Sequence, residues 1–480
     1  MSTAADPAAD TPEPPPRHDP YAALRVGDFR LFSLGFAASV IGLQAMSVAV
    51  GWELYARTGS KAVLGLVGLV QVVPVLVLSL PAGHVADRFD RRRVLLLSQF
   101  LLAVIGAAMA WASFGYAATA PAEGRLPGAE VPASRAGPLS ATNAAVARMA
   151  HALGETGGRF DDPYVPVLLG LLLLNAAARS VGGPARSAFL PELVPPSLFG
   201  NAVTWNSSIF EVCSMAGPAA GGGIIAALLG AGPAAAPWAY PATYLAAAAC
   251  QLVFAVLVWP VRPVTAPRPR EPLTVGSLSA GVRYVFTTPI LLATLTLDLF
   301  AVILGGAVAL LPVYAKDILH VGPLGLGALR AAPSVGAFLM ATLIAHLPPM
   351  KRAGRNMLWA VAGFGAATVV FGYSRDFWLS LAMLALTGAF DNVSVVVRQT
   401  LVQVLTPDAM RGRVSAVNAI FIQSSNQIGT LESGFTAAVM GTVPSVVFGG
   451  VGTIVVVLLA AVAWPQLRRY GALTGPGHNA

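Results

Sequence analysis

Six ionisable residues lie inside long apolar stretches of this chain: Glu53, Arg179, Asp298, Arg330, Asp391 and Arg398. A charge at the centre of a bilayer costs at least about 2.5–3.5 kcal/mol even on insertion scales, so such residues are rare and mark transport paths, proton sites or buried ion pairs. Asp391, Ser394 and Arg398 are spaced i, i+3 and i+7, which places them on one face of a helix. A carboxylate in that setting has two uses. It can load and release a proton, because desolvation favours its neutral form and a nearby guanidinium its charged form. It can equally stay locked in an ion pair that fixes helix packing. Both readings stand open for Asp298 and Asp391. Glu53 follows Trp52 near the end of its stretch, so an interfacial position competes with a functional one. Arg330 can attract an anionic substrate or pair with an acid. Glu211 and Glu432 also lie deep in apolar sequence.

The surrounding elements follow from composition. Hydrophobic residues make up 56% of the 480 residues and charged residues 11%, against roughly 25% charged in soluble domains. A helix needs about 20 apolar residues to cross a bilayer. Only helices or closed barrels satisfy the backbone there, and these apolar runs are continuous rather than alternating, which excludes the barrel pattern. We place twelve spans at approximately 30–52, 62–84, 94–115, 163–183, 200–230, 238–260, 288–315, 323–346, 357–373, 377–400, 412–440 and 443–464. Residues 1–20, rich in Ala, Pro and Asp, read as a disordered tail with no cleavable signal peptide. The expected organisation is then a bundle over 21–260 with an extracytoplasmic loop at 116–162, a cytoplasmic linker at 261–282, a second bundle over 283–466 and a tail over 467–480.

The net charge of +8 is explained by topology rather than nucleic-acid binding. With the N-terminus cytoplasmic, Arg88, Arg91, Arg92, Arg93, the linker arginines, Lys351, Arg352, Arg355, Arg411, Arg413, Arg468 and Arg469 all fall inside. The short outer loops hold Arg57, Lys61, Lys316 and Arg375. The positive-inside rule therefore predicts both termini inside a multi-pass cell-membrane protein in contact with lipid.

An internal repeat runs at an offset of 212 residues. It relates Arg186 to Arg398, Leu193 to Leu405, Pro195 to Pro407, Gly200 to Gly412, Asn206 to Asn418, Gly217 to Gly429 and Gly222 to Gly434. Spans four and five thus correspond to spans ten and eleven, and six spans return the chain to its starting side, so the halves are parallel. Arg179 and Asp391 are equivalent under the same offset and opposite in charge.

Two local motifs remain. Gly83-His84-Val85-Ala86-Asp87-Arg88-Phe89-Asp90-Arg91-Arg92-Arg93 joins spans two and three, and Gly217-Pro218-Ala219-Ala220-Gly221-Gly222 lies on span five. The first resembles the loop signature of the major facilitator superfamily, with Asp90 where that signature has Gly. The second resembles the core of the signature carried by that family's antiporters, with Cys213 at an upstream Gly position. Pro184-Ala185-Arg186, Leu190-Pro191-Glu192-Leu193-Val194-Pro195, Thr406-Pro407-Asp408-Ala409-Met410-Arg411-Gly412-Arg413-Val414 and Ser425-Asn426 are similar to the exporter subfamily that contains enterobactin and macrolide efflux proteins.

The resemblance implies an all-α fold of twelve transmembrane helices in two parallel six-helix repeats. It places spans one, four, seven and ten, with Glu53, Arg179, Asp298 and Asp391, around a central cavity. It implies a conformational latch at Gly83, Asp87, Arg88 and Arg91, and close helix packing at Gly217, Pro218, Gly221 and Gly222. The function it implies is proton-coupled export of a medium-sized organic compound, a drug or siderophore, by a monomer. An importer of the same fold, or a membrane receptor or assembly partner that moves nothing, are the alternatives. No cofactor is expected. There is no Walker loop, no Gly-x-Ser-x-Gly nucleophile and no clustering of the six histidines, while Cys213 and Cys250 sit in apolar stretches. A proton gradient is left as the energy source, and the chain is expected not to be an enzyme.

Overall fold

A computed structural model describes residues 19–116, 140–155, 162–263, 275–348 and 350–471. Twelve long helices cross in sequence: α1 Gly27–Thr58, α2 Lys61–Arg88, α3 Arg91–Gly115, α4 Tyr164–Phe189, α5 Phe199–Gly230, α6 Ala239–Val258, α7 Pro289–Leu304, α8 Gly322–His346, α9 Ala353–Tyr373, α10 Phe377–Leu405, α11 Asp408–Met440 and α12 Thr442–Ala463. Eleven of the described helices are long and apolar enough to span a bilayer. The exception, α11, has the length but carries the polar run Gln423-Ser424-Ser425-Asn426-Gln427. α7 continues as short helical turns through Ile318.

Local chemistry sets the ends. Gly59 adopts the left-handed conformation (φ 63°) that ends α1, and Ser60 then caps α2 by accepting from the Val63 N–H at 3.2 Å. Asp90 caps α3, accepting from the Arg92 and Arg93 N–H groups at 2.9 and 3.2 Å. An acid at this position, where the family signature has glycine, therefore starts the helix rather than disturbing the turn. Asp376 caps α10 through the Leu379 N–H at 2.7 Å.

The stretches between the spans hold two further helices. The segment 116–162 holds a helix, Ser140–Ala152, tied down by Glu155, whose carboxylate accepts from the Ser60 hydroxyl and the Lys61 N–H. The linker likewise ends in a helix, Val275–Thr287, that runs past the expected boundary and packs on α11. Gly281 lies against the Arg413 backbone of α11, and the Tyr284 hydroxyl donates to the Leu405 carbonyl at the end of α10 at 2.6 Å. Residues 1–18, 117–139 and 156–161 of the expected loop, 264–274 of the linker and 472–480 lie outside the described residues.

The two halves meet through α2 on α11 and α5 on α8. Lipid tails are as apolar as leucine, so helices associate by backbone-close packing at small residues. Gly222 lies against the Pro323 carbonyl and Gly327, and Gly434 lies against the Lys61 carbonyl and Gly65. These two crossings are equivalent. The offset of 212 relates Gly222 to Gly434, and a second offset of 262 relates Gly65 to Gly327 and Lys61 to Pro323.

Both crossings lie at the end away from the termini. There a single apolar core runs across both halves, from Trp52, Leu168 and Tyr244 to Leu311, Leu326 and Phe371. Tyr55 of α1 donates its hydroxyl to Asp317 of the other half. At the terminus-bearing end each half keeps its own core, one around Phe32, Phe189 and Phe254, the other around Met357, Leu401 and Val417. Val203 and Phe210 of α5 and Leu339 and Leu343 of α8 are exposed there, and Gly200 and Gly412 have open space beside them. The molecule is closed at one end and splayed at the other.

The closed end of the first half is pinned by a buried charged knot. Glu53 is wholly buried and accepts from Arg57 (3.0 Å), Ser113 (2.7 Å), Tyr164 (3.0 Å) and Tyr244 (2.7 Å), joining α1, α3, α4 and α6. Arg57 also pairs with Asp162 at 3.2 Å and lies over the Tyr164 ring at 4.4 Å. Removing one member of a buried pair costs about 3–5 kcal/mol, and a lost neutral donor about 1–3 kcal/mol. Glu53→Gln is expected near the lower end of the first range, because Asp162 still holds Arg57, and Tyr244→Phe within the second. Thermal unfolding of the purified protein in detergent checks the order. The Gly crossings give a second expectation. A Cβ on Gly327 would stand 2.6 Å from the Pro218 carbonyl, so Gly327→Val should part the closed end and raise, by several fold, labelling of a Thr430→Cys variant from the far side.

Candidate functional site

Between the halves lies a cavity of about 480 Å³, within the range of sites that take small organic ligands. α1, α2, α4, α7, α8, α9, α10 and α11 all contribute to its wall. The wall is apolar in the main, through Leu43, Val50, Leu172, Phe364 and Phe371, with amides at Gln44, Gln71, Asn175, Asn426 and Gln427. Its charges are Arg179 on α4, Arg330 on α8 and Asp391 on α10. Arg330 donates to the Ser47 hydroxyl at 2.6 Å, across the halves. Among the described residues, neither Arg179 nor Asp391 has a hydrogen bond or ion pair. Arg179 and Asp391 both lie midway along their helices, as the pseudo-symmetry between them requires.

The other two sequence candidates pair with each other. Arg398 on α10 forms an ion pair with Asp298 on α7, and both side chains are at least nine-tenths buried. Asp391 is thus paired with neither Arg398 nor Arg179. The symmetry-related cation behaves differently. Arg186 lies over the Phe36 ring at 4.7 Å with no acid partner among the described residues. Under the 262 offset Phe36 is the counterpart of Asp298, and backbone contacts support that register. Gly217 packs on Ile41 of α1, and Gly429 packs on Val302 and Ile303 of α7. One half holds its guanidinium with an aromatic face, the other with a carboxylate.

Asp298 and Asp391 also share a small side pocket of about 10 Å³ that adjoins the main cavity through Val302, Phe364 and Asp391. Ser394 completes its polar wall.

Glu53 is corrected. It neither lines the cavity nor faces the interface, but is the centre of the four-helix knot described above. The sequence signal was its i, i+4 spacing to Arg57, while Tyr164 and Tyr244 are distant in sequence and gave none. Of the latch motif, Gly83 is buried and Arg88 exposed. Arg91 pairs with Glu192 of its own half, which accounts for that acid in the Leu-Pro-Glu turn. The side chain of Asp87 lies outside the described residues. In the span-five motif, Gly217 and Gly221 pack on the α1 backbone, while Pro218 and Gly222 meet α8. The motif is therefore where α1, α5 and α8 cross at the closed end. Glu211 on α5 and Glu432 on α11 are half-buried and lie outside the cavity wall.

Among the described residues no group of His, Cys, Asp and Glu is arranged to hold a metal ion.

The comparisons with known proteins agree with this architecture. The chain is 30% identical over 206 residues to the enterobactin exporter EntS of Shigella flexneri, covering 42% of this chain and 48% of that protein. It is 31% identical over 205 residues to EntS of Citrobacter koseri, covering 42% and 49%. The chain thus spans about half the length of the curated relatives it matches. Among solved structures, a POT family transporter in complex with a thioalcohol-conjugated peptide aligns with a TM-score of 0.65 at 11% identity, covering 92% of this chain and 96% of that one. An inward-facing, occupied bacterial homologue of the human lysosomal transporter Spinster aligns with 0.62 at 13%, covering 94% and 98%. The inward-open xylose transporter XylE of E. coli aligns with 0.58 at 13%, covering 92% and 95%. Residues 32–430 match the Major Facilitator Superfamily, and with twelve helices in two parallel halves around one central cavity the chain belongs to that family of transporters.

Proposed function

We propose that this protein exports a medium-sized organic compound by alternating access, with the proton as counter-ion and Asp391 as the coupling carboxylate. The observation that carries the reading is Asp391, without a partner among the described residues, on the wall of a ligand-sized cavity that also holds Arg179 and Arg330. A carboxylate kept for packing would be paired, as Asp298 is. An unpaired one in a low-dielectric site pays a desolvation cost that function has to justify.

The splayed end carries both termini and the arginine-rich loops, so the positive-inside rule makes it cytoplasmic and the conformation inward-open in the cell membrane. Substrate then enters from the cytoplasm. Export direction is supported by the span-five motif and by the exporters among the relatives. In the cycle, deprotonated Asp391 accepts substrate at the inward-open cavity. Closure of the cytoplasmic end and parting of the α2–α11 and α5–α8 crossings expose the cavity outward. A proton arriving there neutralises Asp391, weakens substrate binding and permits return. No cofactor and no partner subunit enter this scheme.

The test is flux in inside-out vesicles with an acidic lumen, using enterobactin as the first compound tried because the relatives are named for it. Wild-type protein is expected to concentrate its substrate only while the gradient stands. Asp391→Asn should insert and fold normally yet lose at least about tenfold of gradient-driven accumulation, while down-gradient exchange persists. Undiminished accumulation by that variant removes Asp391 as the coupling group. Gradient-driven uptake in the opposite sense makes the protein an importer.

A further inference from the structure

We propose that the side pocket between Asp391 and Asp298 holds one water and forms, with Ser394, a proton relay from the central cavity to the buried Asp298–Arg398 ion pair. The inference rests on the reading of Asp391 as the proton-coupling group and adds the route and the destination.

Three observations carry it. First, the pocket of about 10 Å³ is walled by Asp298, Asp391 and Ser394 and shares Asp391 with the wall of the main cavity. That is room for a single water, and three polar groups are what a buried water needs. Second, the Ser394 hydroxyl is buried and makes no hydrogen bond among the described residues. Thr387 and Thr400 on the same helix return their hydroxyls to the carbonyl three or four residues back. Ser394 forgoes that bond, which leaves its oxygen and proton available to the pocket. Third, Asp391, Ser394 and Arg398 follow one another along one face of α10, and the last of them holds Asp298. The remaining wall, Ala301, Val302, Val361, Phe364 and Phe390, is apolar. The charged groups acting on the relay are Arg398 on Asp298 and Glu211 of α5 on Asp391.

The transfer conserves protons. Protonated Asp391 gives its O–H proton to the water, the water passes one to the Ser394 oxygen, and the Ser394 hydroxyl proton goes to an Asp298 oxygen. Asp391 ends as carboxylate and Asp298 as neutral acid. Arg398 is then a guanidinium, 2% exposed, without its counter-ion, and a buried cation left unpaired is strongly unfavourable. Separation of α7 from α10 relieves it. A proton taken from the cavity thereby becomes a force on two helices of the second half. The first half has no such step, because Arg186 rests on the Phe36 ring, which cannot be protonated.

The test needs no substrate. Purified protein in lipid nanodiscs is given a rapid drop in pH, and the carboxylic-acid stretch is followed by time-resolved infrared spectroscopy. The signals are assigned with Asp391→Asn and Asp298→Asn. The expected wild-type result is an early Asp391 signal followed by a slower Asp298 signal. Ser394→Ala should keep the first and slow the second by about tenfold or more, and Ser394→Thr, which retains the hydroxyl, should restore the wild-type rate. Asp391→Asn should slow the Asp298 signal to the same degree. An Asp298 signal as fast in Ser394→Ala or Asp391→Asn as in the wild type overturns the relay, as does its absence. Absence of the Asp391 signal overturns the coupling role of Asp391 as well, so the two failures are distinguishable.

Discussion

Everything in this architecture depends on two places where helix backbones touch across the halves. Inside a bilayer apolar side chains gain nothing by leaving lipid for one another, so adhesion between bundles comes from surfaces that fit closely enough for backbone contact. Gly222 on Gly327 and Gly65 on Gly434 supply that fit, and both lie toward the same end. A single core spans the halves there, whereas the opposite end has two. Small contacts of this kind are made and broken as units, which is what a rocking transporter requires. The Tyr55–Asp317 hydrogen bond joins the halves at the same end and adds a polar catch to the apolar seam.

Charge is the second organising constraint, and the protein treats it in three ways. At the closed end Glu53 and Arg57 are saturated with partners and hold four helices of one half together. Between α7 and α10 a single pair, Asp298–Arg398, is buried with little else to support it. In the cavity Arg179 and Asp391 have no partner among the described residues. The gradation runs from fully paired to unpaired. A saturated carboxylate has nothing to gain from a proton, a singly paired one exchanges one counter-ion for another, and an unpaired one is free to bind whatever enters. The pseudo-symmetry sharpens the point, since the positions equivalent to Asp298 and Asp391 are Phe36 and Arg179. The two halves share a backbone plan and divide the chemistry between them.

Much of the plan was legible in the residues. The apolar runs located twelve spans to within several residues, because a helix in lipid has to hide its backbone and reveals itself by length and hydropathy. The gapless 212 offset between spans four–five and ten–eleven was visible because those spans keep matching residues at their packing positions, from Arg186 and Arg398 to Gly222 and Gly434. The 262 offset between spans one–two and seven–eight was not. Its pairs, such as Lys61 with Pro323 and Phe36 with Asp298, share backbone position and not side-chain type. The helix Ser140–Ala152 was hidden for a related reason. It lies outside the long apolar runs, and Glu155, Ser60 and Lys61 hold its end in place.

What the sequence determined by itself was the class of molecule, the number and parallel arrangement of its helices, and the shortlist of charges that had no solvent to live in. What only the tertiary structure decided was the partner of each charge. Glu53 went to a knot of tyrosines, Asp298 to Arg398, and Asp391 to the open cavity. Helical periodicity fixes which face of a span a residue occupies but not what the face meets. That depends on the rotation and crossing of neighbouring helices, which are set by close packing at glycines scattered along the whole chain.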